Sequence, residues 1–258
     1  LVAALAERGE PCLVAELEGF PADFTGVAPI RFRLERLALL LDDLAARGVT
    51  RVAFAGAIRR PRLDPEMFDP KTATLVPRLL AAIGQGDDRA LREVIAIFED
   101  WGFEVVGAET LAPDLVPGPG ILAGAPGEAD RRDAGRAAEI VAGLDAFDLG
   151  QGAVVAQGLC LAVETLPGTD AMLDFVARHA PGLRPDPKGA KGVFYKAPKP
   201  GQDRRIDLPT LGPSTVRAAA GAGLAGIAWE ASGVILLDRA AMVDAAAAAG
   251  LFLWARER

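Results

Sequence analysis

Apolar runs of strand length alternate with longer stretches of helical spacing along most of this chain. Residues 1–9 place apolar side chains at helical intervals and stop at Gly9, a residue suited to a helix C-cap. Residues 11–16 then read as a strand. Residues 35–47 predict a helix closed by Gly48, and residues 50–56 a buried strand. Helices over 75–83 and 88–101 follow, with a short strand over 103–107. Helix, glycine and short apolar strand in repeated order is the rhythm of a parallel sheet covered by helices. A chain that opens inside a helix feeding a strand predicts a further strand and turn ahead of Leu1.

Periodicity fails over residues 111–130, where Pro113, Pro117, Pro119 and Pro126 alternate with Gly118, Gly120, Gly124 and Gly127. Such punctuation marks a boundary, predicting an N-terminal domain over 1–124 and a C-terminal domain over 125–258. The second half predicts helices over 131–144, 171–179, 213–220 and 238–249. Strands are predicted over 153–155, 159–165, 192–195, 226–229, 233–237 and 251–254. The fold class expected is α/β in two domains. The first would be a Rossmann-like parallel sheet lacking its first strand and Gly-rich turn, the second a further α/β domain.

Composition narrows the function classes. The chain has 258 residues, half of them apolar, and a formal charge of −7, which argues against nucleic acid as a partner. Cys12 and Cys160 lie far apart in apolar runs and read as buried thiols of a reducing compartment. His179 is the sole histidine, so a His-based metal site or a Ser/His/Asp triad has little to build on. No stretch reaches the roughly 20 apolar residues of a membrane span, and no secretory signal pattern is present.

Against that acidic background, residues 196–212 stand out, because Lys196, Lys199, Arg204 and Arg205 crowd into one Pro- and Gly-rich connection. It links a predicted strand to a helix that begins at Pro213. A polar loop entering a helix N-terminus presents N–H groups and a favourable dipole to an anion, and cations beside it favour phosphate. Asp207 adds an oxygen ligand suited to Mg²⁺. Such a loop is also an ordinary solvated surface feature. Arg59 and Arg60 follow a strand and have the same two readings. Asp87 and Asp88 follow Gly84-Gln-Gly86, where capping accounts for one of them. Thr169 is a candidate N-cap with Asp170 in the first turn, and Glu164 ends a strand.

Taken in order, Gly86-Asp-Asp88, Asp148-Leu-Gly-Gln-Gly-Ala-Val-Val155, Leu161-Ala-Val-Glu-Thr165, Gly168-Thr-Asp-Ala-Met-Leu173, residues 196–212 and Ala222-Gly-Leu-Ala-Gly226 resemble the LpxI-type UDP-2,3-diacylglucosamine diphosphatases of lipid A biosynthesis. The resemblance spans almost the whole chain. It implies a cytoplasmic enzyme held peripherally at the inner membrane. Its reaction would be Mg²⁺-dependent hydrolysis of UDP-2,3-diacylglucosamine to UMP and 2,3-diacylglucosamine 1-phosphate (lipid X). Asp207 matches the aspartate of the family's Asp-Leu-Pro-Thr-hydrophobic-Gly motif and is the expected catalytic residue. Asp207, Asp170 and Glu164 are the expected metal ligands. Lys196 and Lys199 would neutralise the diphosphate, and Gln151, Gly168, Thr169, Thr210, Gly212 and Asp87 would complete substrate binding. Pro167 departs from the family, many members of which carry an acidic residue there. The resemblance leaves room for an oligomer.

Two other classes fit parts of the pattern. A non-catalytic UDP-sugar-binding regulatory module would keep the basic loop without turnover. A dinucleotide oxidoreductase would need Gly-x-Gly-x-x-Gly after a strand, which is lacking here.

Overall fold

The computed structural model describes the chain except residues 23–25, 57–62, 85–86 and 148, and the side chains at 87 and 88. The chain divides into two compact units, Leu1–Ala112 and Pro113–Arg258.

In the first unit the elements run α1 Val2–Glu7, β1 Ala15–Leu17, β2 Ile30–Phe32, α2 Leu37–Ala46, β3 Arg51–Val52, α3 Pro70–Ala73, α4 Val76–Ile83, α5 Asp87–Asp100, β4 Glu104–Val105 and α6 Ala108–Leu111. All strand pairing described here is parallel, β1 with β2 and β3 with β4. The pairs form two separate ladders among the described residues, where one parallel sheet was expected. The apolar run after β3 outlasts its ladder, because Phe54 leaves it to pack edge-on against Phe98 of α5 at 5.0 Å. α2 buries Leu37, Leu40, Leu41 and Leu44, the i, i+3, i+4, i+7 stripe that predicted it. Asp69 caps α3, accepting from Lys71 N at 2.9 Å and Thr72 N at 3.0 Å.

The second unit contains β5 Gly120–Ala123, α7 Glu128–Leu144, β6 Gly152–Ala156, β7 Leu159–Val163, α8 Gly168–His179, β8 Val193–Lys196, β9 Thr210–Leu211, α9 Pro213–Gly221, β10 Gly226–Glu230, β11 Ile235–Leu236, α10 Arg239–Ala249 and β12 Phe252–Arg256. Its six-stranded sheet has the order β5-β12-β10-β8-β6-β7. β8, β10 and β12 are parallel neighbours at its centre. The hairpin β6–β7 joins antiparallel beside β8, and β5 antiparallel beside β12.

Alternation along the central strands sorts two cores. Phe194, Ile227, Trp229 and Leu253 face one way, onto α8, α9 and α10 residues such as Leu173, Val216 and Met242. Val193, Tyr195, Ala228 and Phe252 face the other way, onto Ala134, Ala137 and Val141 of α7. Strands buried on both faces must read as continuous apolar runs, as these do. Each fully buried large side chain contributes about 1.5–3 kcal/mol, so this sheet is a rigid platform for its edges.

Three further features differ from expectation. The division falls between Ala112 and Pro113, ahead of residue 124, because Gly120–Ala123 pairs with β12 and so belongs to the second sheet. Residues 235–236 stay out of the main sheet and pair with β9, after Ser232 turns the chain at φ 56°. Cys160 is exposed, since β7 is the outermost strand. Both cysteines are free thiols, and partial desolvation of the Cys160 sulfur pushes its pKa up, favouring the protonated form.

Candidate functional site

The carboxyl ends of β8 and β10 meet the start of β6 at one sheet edge, because β6 runs antiparallel to β8. Lys196 lies opposite Gly152 across one ladder and opposite Trp229 across the other. α8 begins just after β7 leaves this edge. Carboxyl edges of parallel strands are where open α/β sheets bind ligands.

Lys196 ends β8 on the α8 face, only 7% exposed. Its ammonium donates to Thr169 Oγ1 at 2.6 Å and to Glu164 Oε1 at 3.5 Å. The Thr169 hydroxyl donates in turn to Glu164 Oε1 at 2.8 Å. Glu164, 8% exposed, also accepts from Gln151 N at 3.3 Å on its other oxygen. Four residues expected at the site, Gln151, Glu164, Thr169 and Lys196, therefore form one hydrogen-bonded group. A buried cation and carboxylate persist only when paired and further hydrogen-bonded, and Thr169 supplies the bridging group.

Two glycines make room for this group. A Cβ on Gly150 would sit 2.1 Å from Glu164 O. A Cβ on Gly152 would sit 2.8 Å from the Phe194 ring and 2.9 Å from Glu164 Oε2. Gly152→Ala is thus expected to destabilise the protein by about 1–3 kcal/mol, as overpacking does, read as a lowered Tm.

The basic connection crosses the same edge. Ala197 N donates to Gln151 O at 3.0 Å. The Gln202 carboxamide oxygen accepts from Gln151 Nε2 at 2.7 Å and from Lys199 N at 3.2 Å. Arg205 pairs with Asp203 at 2.8 Å within the loop, while Arg204 reaches out to Glu230, the last residue of β10, at 2.5 Å. Asp207 is half-buried in this loop, its N–H donating to Asp203 O at 3.2 Å. Glu230 lies on the α7 face with Tyr195. Burial, reinforced by the Glu230 charge, raises the Tyr195 phenol above its ordinary pKa, so the hydroxyl keeps its proton.

Several expected roles change. Thr169 is not a cap: α8 starts at Gly168 with φ +87°, ahead of the expected start at 171, and its N-cap is Pro167. Lys196 is paired with Glu164 inside the protein, at 3.5 Å. The N–H groups of Gly168 and Gly212 are engaged, with Thr165 O at 2.8 Å and Thr215 Oγ1 at 3.4 Å. Thr210 and Asp170 are exposed, Asp170 in the first turn of α8. Asp148, Arg59, Arg60, Gly86 and the Asp87 and Asp88 side chains lie outside the described residues. The sequence reading missed Gln202, Arg204 as a bridge, and Glu230. The position that flagged Glu164, a carboxylate closing an apolar strand, applies equally to Glu230.

The expected metal set fits only in part. Glu164 has hydrogen-bond donors on both oxygens and a cation beside it, which does not suit a ligand to Mg²⁺. No group of three or more His, Cys, Asp or Glu side chains gathers in metal-binding range among the described residues. A protein-built cage is therefore not present among them. A Mg²⁺ that arrives on phosphate oxygens needs only one or two protein carboxylates. Among the described residues, no helix is long and apolar enough to cross a membrane.

Residues 1–115 match the family described as the LpxI N-terminal domain, and residues 118–254 match the LpxI C-terminal domain. The chain is 41% identical over 215 residues to UDP-2,3-diacylglucosamine pyrophosphatase LpxI of Caulobacter vibrioides. That alignment covers 83% of this chain and 77% of the relative.

Proposed function

Because the chain belongs to the LpxI family, we propose that it hydrolyses the diphosphate bond of UDP-2,3-diacylglucosamine in lipid A biosynthesis. The products are UMP and 2,3-diacylglucosamine 1-phosphate. The observation that carries this reading into the structure is the buried Lys196–Thr169–Glu164 group at the sheet edge, crossed by the basic loop that holds Asp207.

Diphosphate hydrolysis needs an oriented water, neutralised phosphoryl oxygens and a stabilised leaving group. Asp207 is the residue that orients the water or holds the metal. Lys199 supplies positive charge to the phosphates from the loop. Lys196, Thr169 and Glu164 fix the edge on which the loop rests, through Gln151 and Gln202. Mg²⁺, brought with the diphosphate and held by Asp207 with Asp170 as the second carboxylate, would supply charge neutralisation. The same reading takes the first unit as a Rossmann-like domain, supported by its parallel strand pairs. A diacylated substrate resides in a bilayer, so the protein would work peripherally at the cytoplasmic face of the inner membrane, as a monomer or an oligomer.

The test is release of UMP from UDP-2,3-diacylglucosamine by the purified protein, with Mg²⁺ and with chelator. Metal-dependent release is expected. Tight binding without release would instead favour a non-catalytic UDP-sugar-binding module, and neither binding nor release by folded protein would overturn the substrate.

A further inference from the structure

Within the loop that joins β8 to β9, two adjacent arginines have different partners. Arg205 pairs with Asp203, two residues before it. Arg204 instead spans 26 positions to Glu230 and also donates to Ser232 O at 3.4 Å. Glu230 is 6% exposed, whereas the Arg204 side chain is 39% exposed, so a surface loop is tied to a buried carboxylate. The junction is tight. A Cβ on Gly233 would lie 3.0 Å from Pro198 of the loop and 3.1 Å from Glu230 Oε1. Backbone bonds hold the loop at its ends, from Ala197 N to Gln151 O and from Ile235 N to Pro209 O. Inside it, the backbone bonds of Gln202, Ile206 and Asp207 stay local, to Lys199 O and Asp203 O. Side chains fasten its middle: Gln202 on the β6 side and Arg204 on the β10 side.

We propose that Arg204 and Glu230 are a positioning pair, which holds the loop so that Asp207 and Lys199 stand at the sheet edge in working geometry. The proposal rests on the diphosphatase reading for its kinetic part. Neither side chain is required to touch substrate. Arg204, one of the three cations between β8 and β9, would serve the fold, not phosphate. Arg258 is the internal control: it approaches the other oxygen of Glu230, at 3.8 Å, but does not belong to the loop. Removing Arg258 takes away a neighbouring charge while leaving the tie intact.

The experiment compares Arg204→Ala, Arg204→Lys and Arg258→Ala with the parent by steady-state kinetics and by hydrogen exchange of amides 199–207. Misplacement of reacting groups by about 1 Å costs about 10²-fold. Arg204→Ala is expected to lose 10-fold to about 10²-fold in kcat with KM within about threefold, and to exchange faster across the loop at unchanged far-UV signal. Arg204→Lys should recover part of the rate, and Arg258→Ala should match the parent. Millimolar guanidinium ion, refilling the half-exposed slot, should raise the rate of Arg204→Ala and leave Asp207→Ala unmoved. Parent-like kcat and loop exchange in Arg204→Ala would overturn the proposal. An equal loss in Arg258→Ala would also overturn it, because charge around Glu230 would then be what matters. If the parent itself fails to hydrolyse the glycolipid, the diphosphatase reading falls and loop exchange alone decides the pair: faster exchange confined to Arg204 variants supports it.

Discussion

Glu164→Ala is expected to destabilise the protein by about 3–5 kcal/mol, because it strands a buried ammonium. Lys196 is almost fully enclosed at the end of a central strand, with Phe194 beneath it and Trp229 beside it. Among the described residues its carboxylate partner is Glu164, and the Thr169 hydroxyl that bridges them cannot carry a negative charge. Glu164→Gln keeps an oxygen for Thr169 and should cost less. Denaturant unfolding separates the variants, and a loss under about 1 kcal/mol for Glu164→Ala would remove the pair as an anchor of this edge. The double variant Glu164→Leu/Lys196→Met distinguishes structure from chemistry. Replacing both charges by apolar groups of similar volume is often neutral for stability, so much of the fold should return. If turnover returns with it, the pair serves only to hold the edge. If turnover stays lost in a stable protein, the Lys196 charge acts on the reaction itself.

Much of the fold was legible because burial imposes simple patterns. α2 and the central strands β6, β8, β10 and β12 announce themselves by an apolar stripe or by a run apolar on both faces. β5 was hidden because its residues sit behind Pro117-Gly-Pro-Gly120, which reads as linker, and only pairing with β12 makes it a strand. β9 is a two-residue ladder, too short for any period, and of the strand read over 233–237 only Ile235 and Leu236 pair, with β9. Within the site, Glu164, Thr169, Lys196 and Gln151 could each be named, but not their mutual contact. Lys196 and Glu164 are 32 positions apart, and the β6–β8 register that brings Gly152 opposite Lys196 is a tertiary fact. Thr169 reads as a cap because its hydroxyl has two possible uses, and the helix in fact reaches back through Asp170 and Thr169 to Gly168, freeing the hydroxyl for Glu164. Basic residues in a loop suggest an anion from sequence alone. The structure assigns Arg204 to Glu230 and pairs Arg205 with Asp203, leaving fewer cations for phosphate than their number implies.

Asp207→Ala is expected to reduce kcat by about 10²–10⁴-fold, the range for losing a general base or an equivalent positioned group. Stability should fall less than in Glu164→Ala, because Asp207 is only half-buried whereas Glu164 is buried. Substrate affinity should also hold, since the uridine and acyl parts offer contacts that an aspartate in this loop does not supply. Asp207→Asn separates the two roles open to the carboxylate. It keeps size and one oxygen but loses charge. A metal ligand so weakened should need more Mg²⁺, moving the activation midpoint upward while the rate at saturating metal recovers in part. A residue that orients water by its charge should leave that midpoint in place and stay slow at every Mg²⁺ concentration. The matching change at Asp170, exposed at the start of α8, should shift the Mg²⁺ midpoint only modestly, because one carboxylate and the substrate's phosphates can hold the ion. Parent-rate hydrolysis by Asp207→Ala would take Asp207 out of the mechanism and leave Lys196 and Glu164 as the groups to test next.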